Sequence, residues 1–274
     1  MKGKDAYMSK IVNVFYNNYN LSKALRDKLE AELKKEKIEV SYDYNPKAAF
    51  NIVIGGDGTF INACHDSAFS EIPFIGINTG HLGFYQEIAS TDLDIVINAI
   101  KNEDKQIQKI KLVECIIKTK DKEYSYYAVN EIVLKAQYAF IINFDMYVND
   151  IFLQSFAGDG VIFSTPSGST AYSLSAGGSI LFQTLNGFQI TPIAPIRSSL
   201  HRSLDKSLVV PHDTKVKIIP SREREKNKSI ISVDGVLKPM KDIEEISIVL
   251  SDKSINKVVI NPNWYWHNIK DKFI

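Results

Sequence analysis

Over the first hundred residues, short apolar runs alternate with stretches whose apolar positions recur every three or four, the pattern of a layered α/β unit around a parallel sheet. Ile11–Tyr16 reads as a buried strand, Asn17, Asn18 and Asn20 as a turn, and Leu21, Leu25, Leu29 and Leu33 as one face of a helix with charges between them. Residues 38–41, 50–54 and 73–78 are further strands, and a helix is expected from about residue 59 to 69. Thr91 with Asp94 three residues on has the form of a capping box, and Leu93, Val96, Ile97 and Ile100 hold one face of the helix that follows.

After about residue 105 the texture changes. Runs rich in β-branched and aromatic residues at 109–118, 125–135, 140–148, 151–156, 215–219, 229–233 and 246–250 predict an all-β second domain, a sandwich or two packed sheets. Asn149-Asp150 reads as a two-residue hairpin turn because both residues tolerate positive φ, and Asp234-Gly235 reads the same way. The charge run 222–228 is a solvated loop. Residues 264–274 carry two tryptophans and a phenylalanine, too much apolar surface to leave in water, so this segment is expected to pack back on the first domain. The expected organisation is an α/β domain over 1–105, an all-β domain over 106–255 and a returning C-terminal segment over 256–274.

Composition agrees with that division. A chain of 274 residues exceeds one comfortable core, and 45% hydrophobic residues supply apolar material for two. With 33 basic against 32 acidic residues the net charge is +1, which gives no field for nucleic acid or an anionic membrane, so neither is expected as a partner. Cys64 and Cys115 lack ligand spacing to each other or to the five histidines and read as free thiols in a reducing compartment. The polar N-terminus and the brief apolar run after it are too short for a signal or spanning segment, so a cytoplasmic location is expected.

The candidate chemistry begins at Gly55-Gly56-Asp57-Gly58-Thr59, between an apolar strand and a helix, where ligands bind at the carboxyl end of a parallel sheet. Its three glycines remove the Cβ atoms that hold phosphate oxygens away, and the N–H groups opening the helix favour an anion. A carboxylate beside phosphates is repelled unless it meets magnesium or a hydroxyl whose proton it accepts, which makes Asp57 a candidate base or metal ligand. A tight turn accounts for the same four residues equally well. The loop is neither a Walker A motif nor a G-x-G-x-x-G fingerprint.

Further on come Thr79-Gly80-His81-Leu82-Gly83-Phe84, Asn130-Glu131, Gly158-Asp159-Gly160, and the run from Thr165-Pro166-Ser167-Gly168-Ser169-Thr170-Ala171-Tyr172 through Ser173-Leu174-Ser175-Ala176 to Gly177-Gly178. With the first loop, these segments resemble in order and spacing those of the NAD kinase family. The resemblance implies an α/β N-terminal domain with a parallel sheet, an all-β C-terminal domain and a last segment returning to the first. It also implies phosphoryl transfer from ATP, or another donor such as polyphosphate, with magnesium, to the adenosine ribose 2′-hydroxyl of NAD, in a homodimer or homotetramer.

Carried over, it places Asp57 at the 2′-hydroxyl, with Gly56, Gly58 and Thr59 beside it, Asn130 and Glu131 on ribose hydroxyls, and Asp159 on the nicotinamide amide. Thr170, Ala171, Tyr172, Ser175 and Ala194 would line the nucleoside pockets. Phe84 and Tyr85 read as either site-lining rings or buried core. His81 reads as a structural residue of its loop. Ala157 and Gly235 stand where some relatives have a basic residue and a histidine, a departure that leaves the phosphate-side contacts open and not the reaction. A lipid kinase of the diacylglycerol or sphingosine type shares the first loop and a β-rich second domain but not the segments at 79–84 and 165–178, phosphofructokinase-like enzymes carry the loop on a longer and more strictly α/β chain, and a non-catalytic dinucleotide sensor leaves Asp57 without a use.

Overall fold

The computed structural model describes residues 10–80, 83–102, 105–138, 140–196, 203–221 and 229–274. His81 and the charge run 222–228 lie outside the described residues. The chain divides into two compact units, Met1–Lys109 with Ile255–Ile274, and Ile110–Ser254.

The first unit runs β1 (Ile11–Tyr16), α1 (Asn20–Lys35), β2 (Glu39–Ser41), β3 (Phe50–Gly55), α2 (Asp57–Asp66), β4 (Phe74–Asn78), β5 (Ile88–Ala89) and α3 (Leu93–Lys101). Its strands pair in parallel in the order β2-β1-β3-β4, and Lys257 near the chain's end pairs in parallel with Phe74. Every residue of β3 is buried, as expected of a central parallel strand covered on both faces. Leu25, Leu29 and Leu33 of α1 and the apolar face of α3 share one core with Ile52, Ile54, Ile75 and Ile77. Phe60 of α2 instead meets Phe74, with ring centroids 5.4 Å apart. Phe74 alternates with Ile75 along β4, so α2 lies on the opposite face of the sheet.

Three local expectations for this unit are corrected. Leu21 is exposed and Ser22 takes the buried place, because a strict four-residue step drifts round a helix of 3.6 residues per turn. The second helix starts at Asp57, with the Gly56 carbonyl accepting the N–H groups of Thr59 and Phe60 at 2.9 and 3.1 Å, and it ends before Ala68 and Phe69, both left-handed. No capping box forms: Thr91 Oγ1 donates to Asp92 Oδ1 at 2.7 Å and the helix starts without a side-chain cap.

The second unit is antiparallel throughout its recorded pairings. Its strands are β6 (Ile107–Thr119), β7 (Glu123–Ala128), β8 (Glu131–Ala136), β9 (Ile142–Val148), β10 (Ile151–Gly158), β11 (Gly160–Ser164), β12 (Gly187–Ile193), β13 (Leu208–Pro211), β14 (Val216–Pro220), β15 (Ser229–Val233), β16 (Val236–Lys238) and β17 (Ile243–Val258), the outer ends of β6 and β17 reaching into the first unit's residues. One sheet has the order β13-β12-β11-β8-β15-β16. The other contains β10-β9-β14-β17, with β6 paired to β7. Ile142, Phe144 and Met146 alternate inward from β9 to meet Leu134, Phe163, Phe188 and Ile231 of the facing sheet, which is the sandwich the texture predicts. The Asn149-Asp150 hairpin has both residues at positive φ, 49° and 63°.

The expected single run 125–135 is broken into β7 and β8, and β11, β12, β13 and β16 are strands that the sequence reading passes over. A 3-10 turn (Ser167–Thr170) and α4 (Tyr172–Ser175) pack against β11, which is buried at every position. The chain closes with α5 (Trp264–Phe273), part of the first unit.

Candidate active site

The glycine loop is shaped by close approach at Gly55. A Cβ on Gly55 would fall on Thr59 Oγ1 and stand 2.9 Å from Asn17 Nδ2, so only glycine lets β3 turn directly into α2. Asn17 Nδ2 in turn donates to Thr59 Oγ1 at 3.1 Å. Asp57 sits in the first helical turn, where the helix dipole favours a negative charge. Its Oδ2 accepts the N–H of Phe84 at 3.1 Å and its Oδ1 that of Tyr85 at 3.2 Å, so the second motif clamps the carboxylate of the first.

The rings of that second motif are structural. Phe84 and Tyr85 are 6% and 2% exposed, and Tyr85 stacks on Phe60 at 4.6 Å, so their backbone N–H groups, not their side chains, reach the carboxylate. Gly83 is required there because a Cβ would fall on Gln86 Oε1 and 2.5 Å from Asp57 Oδ1. The segment is held from behind: Trp264 Nε1 and Asn268 Nδ2 of α5 donate to the Gly83 carbonyl at 3.3 and 3.0 Å. Glu87 forms a buried ion pair with Lys257, and its Oε2 also accepts the N–H groups of Ile260 and Asn261, each at 2.8 Å. Burial pushes the Lys257 ammonium below its usual range, against the pull of Glu87 and Asp57.

In the second unit Asn130 and Glu131 sit at the start of β8, where the ladder is interrupted. The N–H groups of Val129, Asn130 and Glu131 all donate to Asp234, at 2.8, 2.7 and 3.2 Å. Asp234 is left-handed at φ 46° in the β15–β16 hairpin, so the hairpin reading stands and the side chain does more than turn the chain. Burial first, and Asp234 second, raise the Glu131 carboxyl to about 8, and Glu131 Oε2 has no hydrogen-bond partner among the described residues.

The last motif folds against Asn130. Thr165 donates its N–H to the Asn130 carbonyl at 2.9 Å, and its Oγ1 donates to the Val129 carbonyl at 2.6 Å. A Cβ on Gly168 would collide with the Asn130 backbone. Ser173 is buried with Gln189 and Thr191, which leaves its neighbours Tyr172 and Ser175 exposed and Thr170 and Ala171 half-buried. Asp159, between β10 and β11, is exposed, and its carbonyl accepts the Ala136 N–H at 2.7 Å. A 660 Å³ cavity in this unit is lined by both Asp159 and Tyr172, with Lys135, Tyr138, Ile193 and Leu237.

The structure thus brings Asp57, Gly56, Gly58 and Thr59 together with the backbone of Phe84 and Tyr85 in the first unit. In the second it gathers Asp159 and Tyr172 at one cavity and packs Asn130 against the turn that carries Thr170 and Ala171. Ala194, exposed with φ 42°, follows Ile193 of that cavity without lining it itself. Sequence reasoning missed Glu87 and Asp234. The first lies three residues beyond Phe84, the end of a recognised motif, and the second carries no signal beyond its glycine.

A carboxylate in the first turn of a helix that opens from a glycine loop, on a parallel sheet followed by an antiparallel sandwich, defines a two-domain phosphotransferase acting on nucleotides. Family models agree: the ATP-NAD kinase N-terminal domain matches residues 13–105 and the ATP-NAD kinase C-terminal domain residues 129–260. An NAD kinase of Finegoldia magna is 44% identical over 97% of this chain and 98% of its own length. A crystal structure of a yeast NADH kinase complexed with NADH superposes with a TM-score of 0.85 at 22% identity, covering 96% of this chain and 87% of that one. An NAD kinase from Archaeoglobus fulgidus in complex with ATP gives 0.76 at 23% identity, covering 95% and 97%. The chain belongs to the NAD kinase family.

Proposed function

We propose that in this NAD kinase Asp57 is the group that accepts the proton of the adenosine ribose 2′-hydroxyl as NAD becomes NADP. The hydroxyl oxygen forms a bond to the γ-phosphorus of ATP, the bond from that phosphorus to the bridging oxygen of ADP breaks, and the hydroxyl proton passes to a carboxylate oxygen of Asp57. A carboxylate is too weak a base to remove the proton of an alcohol beforehand and takes it as the new bond forms.

The observation that carries this reading is the grip on Asp57: both carboxylate oxygens accept backbone N–H groups, from Phe84 and Tyr85, at the opening of α2. Such a clamp aims the carboxylate in a fixed direction, which a simple turn would not require. In the second unit Asn130 and Glu131 recognise ribose hydroxyls, Glu131 as a largely protonated donor near neutral pH, and Asp159 recognises the nicotinamide amide. Tyr172 offers a ring for stacking, and Thr170, Ala171, Ser175 and Ala194 complete the nucleoside walls.

Magnesium neutralises charge on the donor's phosphates. Among the described residues no group of three or more His, Cys, Asp or Glu gathers, and the carboxylate that could meet a phosphate-bound magnesium ion is Asp57. Polyphosphate is a second donor to be tried. A homodimer or homotetramer and a cytoplasmic location complete the reading. No helix among the described residues is long and apolar enough to cross a membrane.

The test is to incubate the purified chain with NAD, ATP and magnesium and to assay NADP with an NADP-specific dehydrogenase, beside a diacylglycerol control. We expect NADP from the wild type, and a loss of about a hundredfold or more in Asp57→Asn with NAD binding retained. Unchanged turnover in that variant would remove Asp57 from the reacting centre.

A further inference from the structure

We propose that Lys272, in the last turn of α5, is a phosphate-binding residue of this active site. The inference rests on Asp57 lying at the reacting centre. Lys272 Nζ stands 3.6 Å from Asp57 Oδ2, and its ammonium lies 4.5 Å from the centre of the Phe84 ring. The two side chains are 28% and 32% exposed, so the pair opens to solvent and to an arriving ligand.

The geometry argues against a merely stabilising pair. At this separation and exposure an ion pair adds little to stability, too little to explain why α5 brings a cation to that carboxylate. The distance also exceeds that of a hydrogen bond, so the ammonium keeps donors for another oxygen. Its position is nonetheless well defined, because α5 is anchored through Trp264 and Asn268 to the Gly83 carbonyl and Tyr265 packs near Phe84 at 6.2 Å.

The chemistry of the loop supplies the need. A phosphate chain laid at Gly55–Thr59 meets the negative charge of Asp57, and none of those five residues is basic. Lys257, also near Asp57, is 3% exposed and committed to Glu87. Among the described residues Lys272 is a cation placed to offset Asp57 and to pair with phosphate at once, and the positive potential of the α2 N-terminus adds to it. Both the triphosphate of the donor and the pyrophosphate of the dinucleotide have the required chemistry, and kinetics separates them.

The experiment compares Lys272→Gln and Lys272→Arg with the wild type in steady-state assays varying ATP and NAD separately. Inorganic tripolyphosphate and pyrophosphate serve as competing probes, and melting temperature is followed in parallel. Losing one charge-assisted hydrogen bond should raise one KM, with the inhibition constant of the matching probe, about ten- to a hundredfold. Lys272→Arg should recover most of that loss, and the melting temperature should stay near that of the wild type. A raised KM for ATP with weaker tripolyphosphate inhibition assigns the donor; a raised KM for NAD with weaker pyrophosphate inhibition assigns the acceptor. Active Lys272→Gln enzyme with both KM values and both probes within twofold of the wild type would overturn the assignment. A change confined to kcat or to melting temperature would overturn it equally. A wild type that makes no NADP would instead strike at the proposed reaction.

Discussion

Asp234 Oδ1 accepts the backbone N–H of Asn130 at 2.7 Å, joining a hairpin tip to a motif more than a hundred positions earlier in the chain. The same carboxylate takes the N–H groups of Val129 and Glu131, so three consecutive donors point at one anion. That arrangement interrupts what reads in sequence as one long strand, because those amides are spent on a side chain instead of a neighbouring strand. It also fixes the backbone from which the Asn130 and Glu131 side chains project.

Asp234→Ala should therefore destabilise the protein by about 3 kcal/mol or more, since three amides lose their acceptor. Asp234→Asn keeps an acceptor oxygen and should lose less. Urea unfolding gives the stabilities, and a KM for NAD that rises in step with the structural loss would tie the clamp to substrate recognition.

Gly83→Ala tests the clamp on Asp57. The added methyl group has no room between Gln86 Oε1 and Asp57 Oδ1, so the segment must shift. Overpacking of this kind costs about 1–3 kcal/mol, and displacement of a reacting carboxylate should lower kcat by about tenfold or more. Turnover equal to that of the wild type would show that the 83–85 segment does not aim Asp57.

Glu131 should leave a signature in the pH dependence of stability. Its carboxyl titrates near about 8 in the folded chain, against ~4.3 when unfolded, so between these values the folded state holds a proton that the unfolded state has released. The stabilisation is complete below the unfolded value and disappears as pH rises through the folded one. Glu131→Gln cannot ionise, so its melting temperature should gain on that of the wild type between pH 5 and pH 8. Parallel curves would place the carboxyl at an ordinary value.

A separable role is predicted for Asp159. Exposed at the cavity shared with Tyr172, it should contribute to NAD recognition and not to the donor. Asp159→Ala is expected to raise the KM for NAD by about tenfold with the KM for ATP nearly unchanged, in initial-rate measurements varying each substrate. An effect confined to ATP would contradict the assignment.

Much of this architecture is legible from residue order. Strands such as Ile11–Tyr16 and the inward face of α3 are written in local periodicity, and of the loop glycines Gly55 marks a turn where a Cβ would fall on Thr59 Oγ1. The change of texture after residue 105 announces the antiparallel sandwich. Short strands such as Gly160–Ser164 pass unnoticed because a five-residue run buried on both faces has no alternation to detect, and glycine at its head reads as a turn.

The sequence by itself determined the class of fold and the family and singled out Asp57 as the candidate for the reacting centre, because local periodicity and a few glycine-rich segments are properties of neighbours along the chain. Only the tertiary structure decided what surrounds those segments. It turned Phe84 and Tyr85 into core rings whose amides grip Asp57, paired Glu87 with Lys257, capped residues 129–131 with Asp234 and brought Lys272 to the carboxylate. Each of these contacts spans at least 27 positions and depends on how the sheets close the chain. Hydrogen bonds and charge pairs act over a few ångströms in space, and spacing along the sequence carries no record of that distance.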